Sequence, residues 1–333
     1  MRSLAGFGRL CAKGLFGGLL FWAVGAQAQE RVDVLATPLP EPPELPENFT
    51  WVGGLALSSQ DTRVGGISGL GVGLVPSPVE DGIRFFAVTD SGNLFTGDLT
   101  FEYEERLALE GLVDNQLKVE RLFDAKSGQW ARQAESLAIW DQRLAIGFEG
   151  RHRVGVMRDE TQITDLPIPT ALRNLGQKRA GVEALATLPG GALFAVSEGV
   201  ERENGLRAWI YEGEPDDWPI LVYEWDGDFA PTGADVSPDD QFVVVSERKF
   251  VSMREPLSNR LMTVRVEDIK EGARLQPEMI LDLDGVLGAV ANVEAVALVP
   301  TSSPDEHLIF VATDNNFISL LPSMIAVLRW RPE

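Results

Sequence analysis

Residues 181–198, Gly181-Val182-Glu183-Ala184-Leu185-Ala186-Thr187-Leu188-Pro189-Gly190-Gly191-Ala192-Leu193-Phe194-Ala195-Val196-Ser197-Glu198, decide how the rest of the chain is read. Two short apolar runs flank a Gly-Gly turn, the pattern of a β-hairpin. Glu183 opens the first run and Glu198 closes the second. The layout returns at Asn292 to Pro300, with Glu294 as the opening acid, followed by Leu308 to Asp314. In both copies the first acid stands six residues before a proline. A third copy runs from Glu135 to Trp140, turns at Asp141-Gln142-Arg143 and returns from Leu144 to Glu149. A fourth runs from Gly66 to Leu70 and, after a long loop, from Phe85 to Asp90, with Ser68 in place of the first acid. A fifth runs from Gly233 to Pro238, turns at Asp239-Asp240 and returns from Phe242 to Glu247. Its Asp235 lies only three residues before the proline, out of step with Glu183.

More strand-like sequence follows each hairpin, as at Arg207 to Tyr211 with Ile220 to Trp225, and Leu261 to Val266 with Met279 to Leu283. Four strands per repeat, at intervals of 67, 48, 52 and 59 residues between first-acid positions, predict an all-β chain folded as a β-propeller. Five four-stranded blades are expected. Six is the alternative, since the first interval has room for a degenerate blade around Leu107 to Phe123. A β-sandwich would leave the recurring acids without a reason. The last repeat lacks a strand, while Thr50 to Leu57 is strand-like and has no hairpin partner. Pairing the two closes the ring and removes a free edge.

In a propeller blade the first strand lines the channel and the second runs beside it, antiparallel. The start of one therefore lies next to the end of the other. The midpoint of Glu135 and Glu149 falls on the turn residue 142, and that of Glu183 and Glu198 falls between the two turn glycines. Repetition around the ring places Asp90, Glu135, Glu149, Glu183, Glu198, Glu247, Glu294 and Asp314 at one channel mouth. Like charges so close hold protons or bind cations. Oxygen donors without cysteine favour calcium or magnesium. Arg151 and His152 follow Glu149, and Arg248 follows Glu247, so cations for an anionic, phosphorylated substrate stand beside the acids. Glu135, Glu183, His152, Arg151 and Arg248 are the candidate catalytic residues.

The hairpin pattern, together with Phe148-Glu149-Gly150-Arg151-His152-Arg153, Ser246-Glu247-Arg248-Lys249-Phe250 and Thr313-Asp314-Asn315-Asn316-Phe317, resembles the bacterial phytase-like family ("esterase-like activity of phytase") over about residues 50 to 332. That resemblance implies a propeller with repeated Asp and Glu and an activity on phosphoesters or esters. Ser68 and the displaced Asp235 depart from the pattern.

Outside the repeats, Met1 to Ala28 reads as a signal peptide: Arg2, Arg9 and Lys13, then an apolar core from Leu15 to Gly25, then Ala26-Gln27-Ala28. The only cysteine, Cys11, lies within it. Residues 29–49 form a proline-rich leader without a strand pattern, and 50–333 form the propeller domain. A periplasmic or secreted location follows, with no transmembrane segment after cleavage. The chain carries 50 acidic and 29 basic side chains, a net charge of -21, and loss of the signal peptide's three cations takes it to -24. Such a chain has no electrostatic footprint for nucleic acid. There is no G-x-S-x-G elbow, P-loop or dinucleotide fingerprint. The function expected is a metal-dependent hydrolase of phosphoesters or esters. The alternatives are a non-enzymatic propeller that binds a ligand or protein partner, marked by any exposed members of Trp130, Trp140, Trp209, Trp218 and Trp225, and a calcium-dependent lactonase.

Overall fold

A computed structural model of the chain describes residues 30–103, 106–150, 152–159, 161–168, 172, 181–201, 205–213, 218–250, 257–288, 291–315 and 323–332. Five sheets, each antiparallel through its inner strands, make a five-bladed β-propeller. The innermost strands are Ile67–Val72, Ala134–Trp140, Val182–Thr187, Ala230–Val236 and Val293–Pro300, and each touches the next around a closed ring. Each is followed outward by a partner: Gly82–Thr89, Arg143–Phe148, Leu193–Glu201, Phe242–Lys249 and His307–Thr313. The turn after Trp140 has two central residues, Asp141 and Gln142, both with positive φ, which matches the twist of the flanking strands.

The ring closes as its hydrophobic pattern requires. Phe49–Ser58 pairs antiparallel with Ser323–Trp330 and completes the fifth blade. Leu107–Leu112 and Gln116–Arg121 both pair with Asn93–Tyr103 in the first blade, so the long first interval holds no sixth blade. The proline-rich stretch contributes strands that its sequence does not advertise. Arg31–Asp33 is an outer strand of the first blade and Leu35–Pro38 of the fifth. An outermost strand needs pairing on one side only, so Pro38 is tolerated there despite its missing N–H.

Five hydrophobic layers fill the spaces between neighbouring blades. Leu185, Leu193 and Trp209 of the third blade, for example, pack with Ala138, Val154 and Val156 of the second. Trp209 and Trp218 are buried in that layer, and Trp140 packs against Tyr211 at 6.0 Å. Trp130, Trp140 and Trp225 are half-buried. Among the described residues no helix is long and apolar enough to cross a membrane.

Candidate functional site

Every inner strand carries a β-bulge at the same point, near its start. The ladder skips Ser68, Glu135, Glu183, Thr232 and Glu294 in the five blades in turn. A bulge re-aims the extra side chain and frees backbone groups from the ladder. Part of that freed backbone is taken up by the preceding blade. Ser68 Oγ donates to the Ala134 carbonyl, Ser136 Oγ to that of Val182, and Thr232 Oγ1 to that of Val293 at 3.0 Å. The residue after the bulge is small in all five blades: Gly69, Ser136, Ala184, Gly233 and Ala295. A Cβ on Gly69 would stand 2.8 Å from the Leu137 nitrogen, and one on Gly233 2.9 Å from the Ala295 Cα.

The second element of the site is the residue just beyond each bulge on the partner strand. Asp90 N–H donates to Gly66, Glu149 to Gln133, Glu198 to Gly181 and Asp314 to Asn292, each time to the carbonyl two residues before the bulge. In the fourth blade the residue in this position is Arg248, opposite Ala230. The mouth is therefore framed by Ser68 and Asp90, Glu135 and Glu149, Glu183 and Glu198, Thr232 and Arg248, and Glu294 and Asp314. Seven carboxylates face one guanidinium.

Two expectations need correction. Glu247 is turned away from the mouth. It is 1% exposed, accepts from Tyr223 Oη at 2.7 Å and Arg260 Nε at 2.6 Å, and braces the fourth blade on the third. The register-equivalent of Glu183 in the fourth blade is Thr232. Asp235 is instead a structural clamp whose carboxylate accepts from the Leu298 and Val236 N–H groups, both at 2.8 Å. The bulge also breaks the simple hairpin arithmetic: Ala134 faces Phe148 and Ser136 faces Gly147, leaving Glu135 without a ladder partner.

Among the other candidates, His152 is buried at the head of Arg153–Asp159. Its neighbour Arg153 turns outward to Asp124 and Asp165 and lies on the Phe148 ring. Arg151 lies outside the described residues. His307 is buried at the start of its strand, with Nε2 3.4 Å from Asp239.

The electrostatics of the mouth are those of crowded, partly desolvated acids. Burial, then Glu294, Glu149, Asp90 and Asp314, push the Glu135 carboxyl up to about 9. Burial, then Glu135 and Glu198, hold Glu183, only 8% exposed, well above the carboxylate range. Burial raises Glu294 to about 7 against the pull of Arg248. Burial works to lower the Arg248 pKa, but Glu294, Glu198, Glu183 and Asp314 outweigh it and keep the value above normal. Arg248 bonds Glu294 and donates to Asn292 Oδ1 at 2.8 Å, while Asn292 Nδ2 donates to Glu294 at 2.9 Å. Glu198 is 3.9 Å from Arg248.

Neither Asn292 nor Thr232 is an acid, and neither stands out in the repeat pattern. The signal for Thr232 lies in Pro231-Thr232-Gly233, which lines up with Ile67-Ser68-Gly69 once the small residue, rather than the acid, sets the register.

Fold and mouth together define a five-bladed propeller with a carboxylate-rich channel end. The chain belongs to the phytase-like family, described as esterase-like activity of phytase, which matches residues 62–317. Nothing among curated proteins matches it. Similar solved structures include a protein of unknown function from Dyadobacter fermentans, 9% identical, TM-score 0.42, with 91% of this chain and 96% of that one covered. A thermostable family-43 glycoside hydrolase is 11% identical, TM-score 0.44, with 80% and 90% covered. An α-L-arabinofuranosidase from Fusarium graminearum, in complex with an iminosugar inhibitor, is 8% identical, TM-score 0.42, with 80% and 93% covered. Likeness at this level carries over no residue and no reaction.

Proposed function

We propose that the protein is an exported hydrolase of phosphoester or ester substrates that works at the carboxylate mouth. The observation that carries this reading is the position of Glu135, Glu183 and Glu294 at equivalent bulges, near enough for the charge of Glu294 to raise the Glu135 and Glu183 carboxyls, in a member of the phytase-like family. Carboxyls whose pKa values are pushed apart can divide acid and base roles. Glu135, protonated up to about pH 9, is suited to give a proton to the leaving oxygen. Glu294, near 7, is suited to take one from the attacking water. Arg248 supplies the positive charge for the substrate's oxyanion, in exchange for part of its pairing with Glu294.

The donor set is chemically suited to calcium or magnesium. Among the described residues no three carboxylates are gathered into a ready coordination shell. Glu135, Glu183, Glu294 and Asp314 would hold an ion after side-chain rotation. Such an ion would supply Lewis acidity and a more acidic water. Protons and a cation would then compete for the same carboxyls.

The test is hydrolysis of a phosphomonoester, a phosphodiester, a carboxylester and a lactone by purified protein, with calcium and with chelator. We expect turnover of at least one of these substrates, falling by about 100-fold or more in Glu135→Gln. Inactivity on all four in calcium-replete protein would overturn the hydrolase reading. Export is tested by sequencing the N-terminus of protein recovered from the extracytoplasmic fraction, where the first residue should be Gln29.

A further inference from the structure

Arg121, Trp130 and Arg132 form a second cluster at the same end of the molecule. The Arg121 and Arg132 guanidinium carbons lie 4.6 Å and 4.0 Å from the centre of the Trp130 ring. Both arginines are exposed, and the indole is half-buried. Neither guanidinium forms an ion pair or side-chain hydrogen bond among the described residues. The acid whose charge Arg121 feels, Glu30, is already held by both terminal nitrogens of Arg63. In a chain of net charge -21, two uncompensated guanidiniums on one aromatic ring are out of keeping with the surface around them.

Topology fixes where this cluster sits. Arg121 pairs with Asn93, three residues after the mouth residue Asp90. Trp130 Nε1 donates to the Gly92 carbonyl at 2.9 Å. Gln133, next to Arg132, donates its N–H to the Asp90 carbonyl at 2.6 Å and accepts from Glu149 N–H at 2.9 Å. Gly92 has φ +81°, and a Cβ there would stand 2.2 Å from the Ala131 carbonyl oxygen, so the loop is built around this close approach. Arg121 ends the fourth strand from the channel, and Asp90 directly follows the end of the second. At strand spacing, the cluster lies about 10 Å outward from the lip of the mouth.

Stacking on an indole holds a guanidinium flat and leaves its N–H edge free for a bidentate oxyanion. We propose that Arg121, Trp130 and Arg132 form a rim subsite for a phosphate group of a small soluble molecule, about 10 Å from the mouth. A molecule carrying two such groups would span subsite and mouth together. The subsite would also hold a phosphate in a region where the acids of the mouth repel it.

Trp130 itself supplies the probe. Its indole N–H signal, identified by loss in Trp130→Phe, is followed by NMR in the intact protein as inorganic phosphate is added. A saturable shift of this signal, with the signals of the other tryptophans of the processed chain unmoved, is expected. The shift should disappear in the Arg121→Gln/Arg132→Gln variant, with the remaining spectrum showing the fold intact. An equal shift with sodium chloride at matched ionic strength, no shift at all, or a shift that survives in the double variant would overturn the subsite. Catalysis is not part of this readout. Inactivity on every ester with the phosphate shift intact would sink the hydrolase reading and leave the subsite standing.

Discussion

Glu135 carries the clearest pH consequence of the mouth. Its carboxyl ordinarily titrates at 4.5 and is held at about 9 in the fold. Between those values the folded chain keeps a proton that the unfolded chain releases. Its stabilising contribution is therefore complete below about pH 4.5 and is lost as pH rises through 9. Glu294 acts in the same direction up to about 7. Asp61, which Arg63 holds at about 2, acts oppositely, but only on the acid side of the ordinary carboxylate range. Chelator-treated protein should thus melt at progressively lower temperature between about pH 5 and 9. Glu135→Gln should flatten that decline and stabilise the fold at the alkaline end by about 1 kcal/mol or more. Calorimetry across this range checks it, and an unchanged slope in the variant would refute the assignment. At this scale the recurring Val182-Glu183-Ala184 and Val293-Glu294-Ala295 made two ring glutamates readable from sequence. Glu247 and Arg248 were not distinguishable, because a shift of one residue along a strand reverses the face a side chain occupies.

The repeated element is a bulged inner strand pressed against the next one. Its requirement for a small side chain after the bulge is steric. Gly233→Val would drive a side chain into Ala295 Cα at 2.9 Å and the Val296 nitrogen at 3.1 Å, and backbone on both sides cannot yield without moving a blade. Destabilisation of about 2–3 kcal/mol is expected from urea unfolding. Gly111→Ala, with nothing within 4 Å of the added carbon, serves as the control. Equal stability of the two variants would contradict the close approach. Hairpins were legible because apolar runs and turn residues mark them locally. Bulges were not, since the extra residue is defined only by the register of a partner strand. The fourth blade hid its bulge further, because Asp235 offered an acid at the wrong place.

For the whole molecule, the seam between the first and fifth blades is the point of closure, and residues 31–38 cross it. Arg31–Asp33 adds to one blade, Leu35–Pro38 adds to the other, and Val32 and Val34 are buried in the layer between them. A chain shortened to start at Leu39 should still form its mouth but melt several degrees lower, measurable by calorimetry. No change in melting would show that the crossing segment contributes nothing. The five-fold repeat and the closing strand were legible because both depend on apolar periodicity. The outer strands at 31–38 were not, because polar, proline-containing sequence suffices where one face of the ladder is open. Closure also bears on biosynthesis. Phe49–Ser58 is made early, yet its partner Ser323–Trp330 is made only after everything between them. Until then Phe49, Trp51, Val52, Leu55 and Leu57 have only the short outer strand Leu35–Pro38 of the fifth blade beside them. A chain stalled or clipped before Ser323 therefore leaves one edge of Phe49–Ser58 unpaired, the kind of open strand edge that invites aggregation.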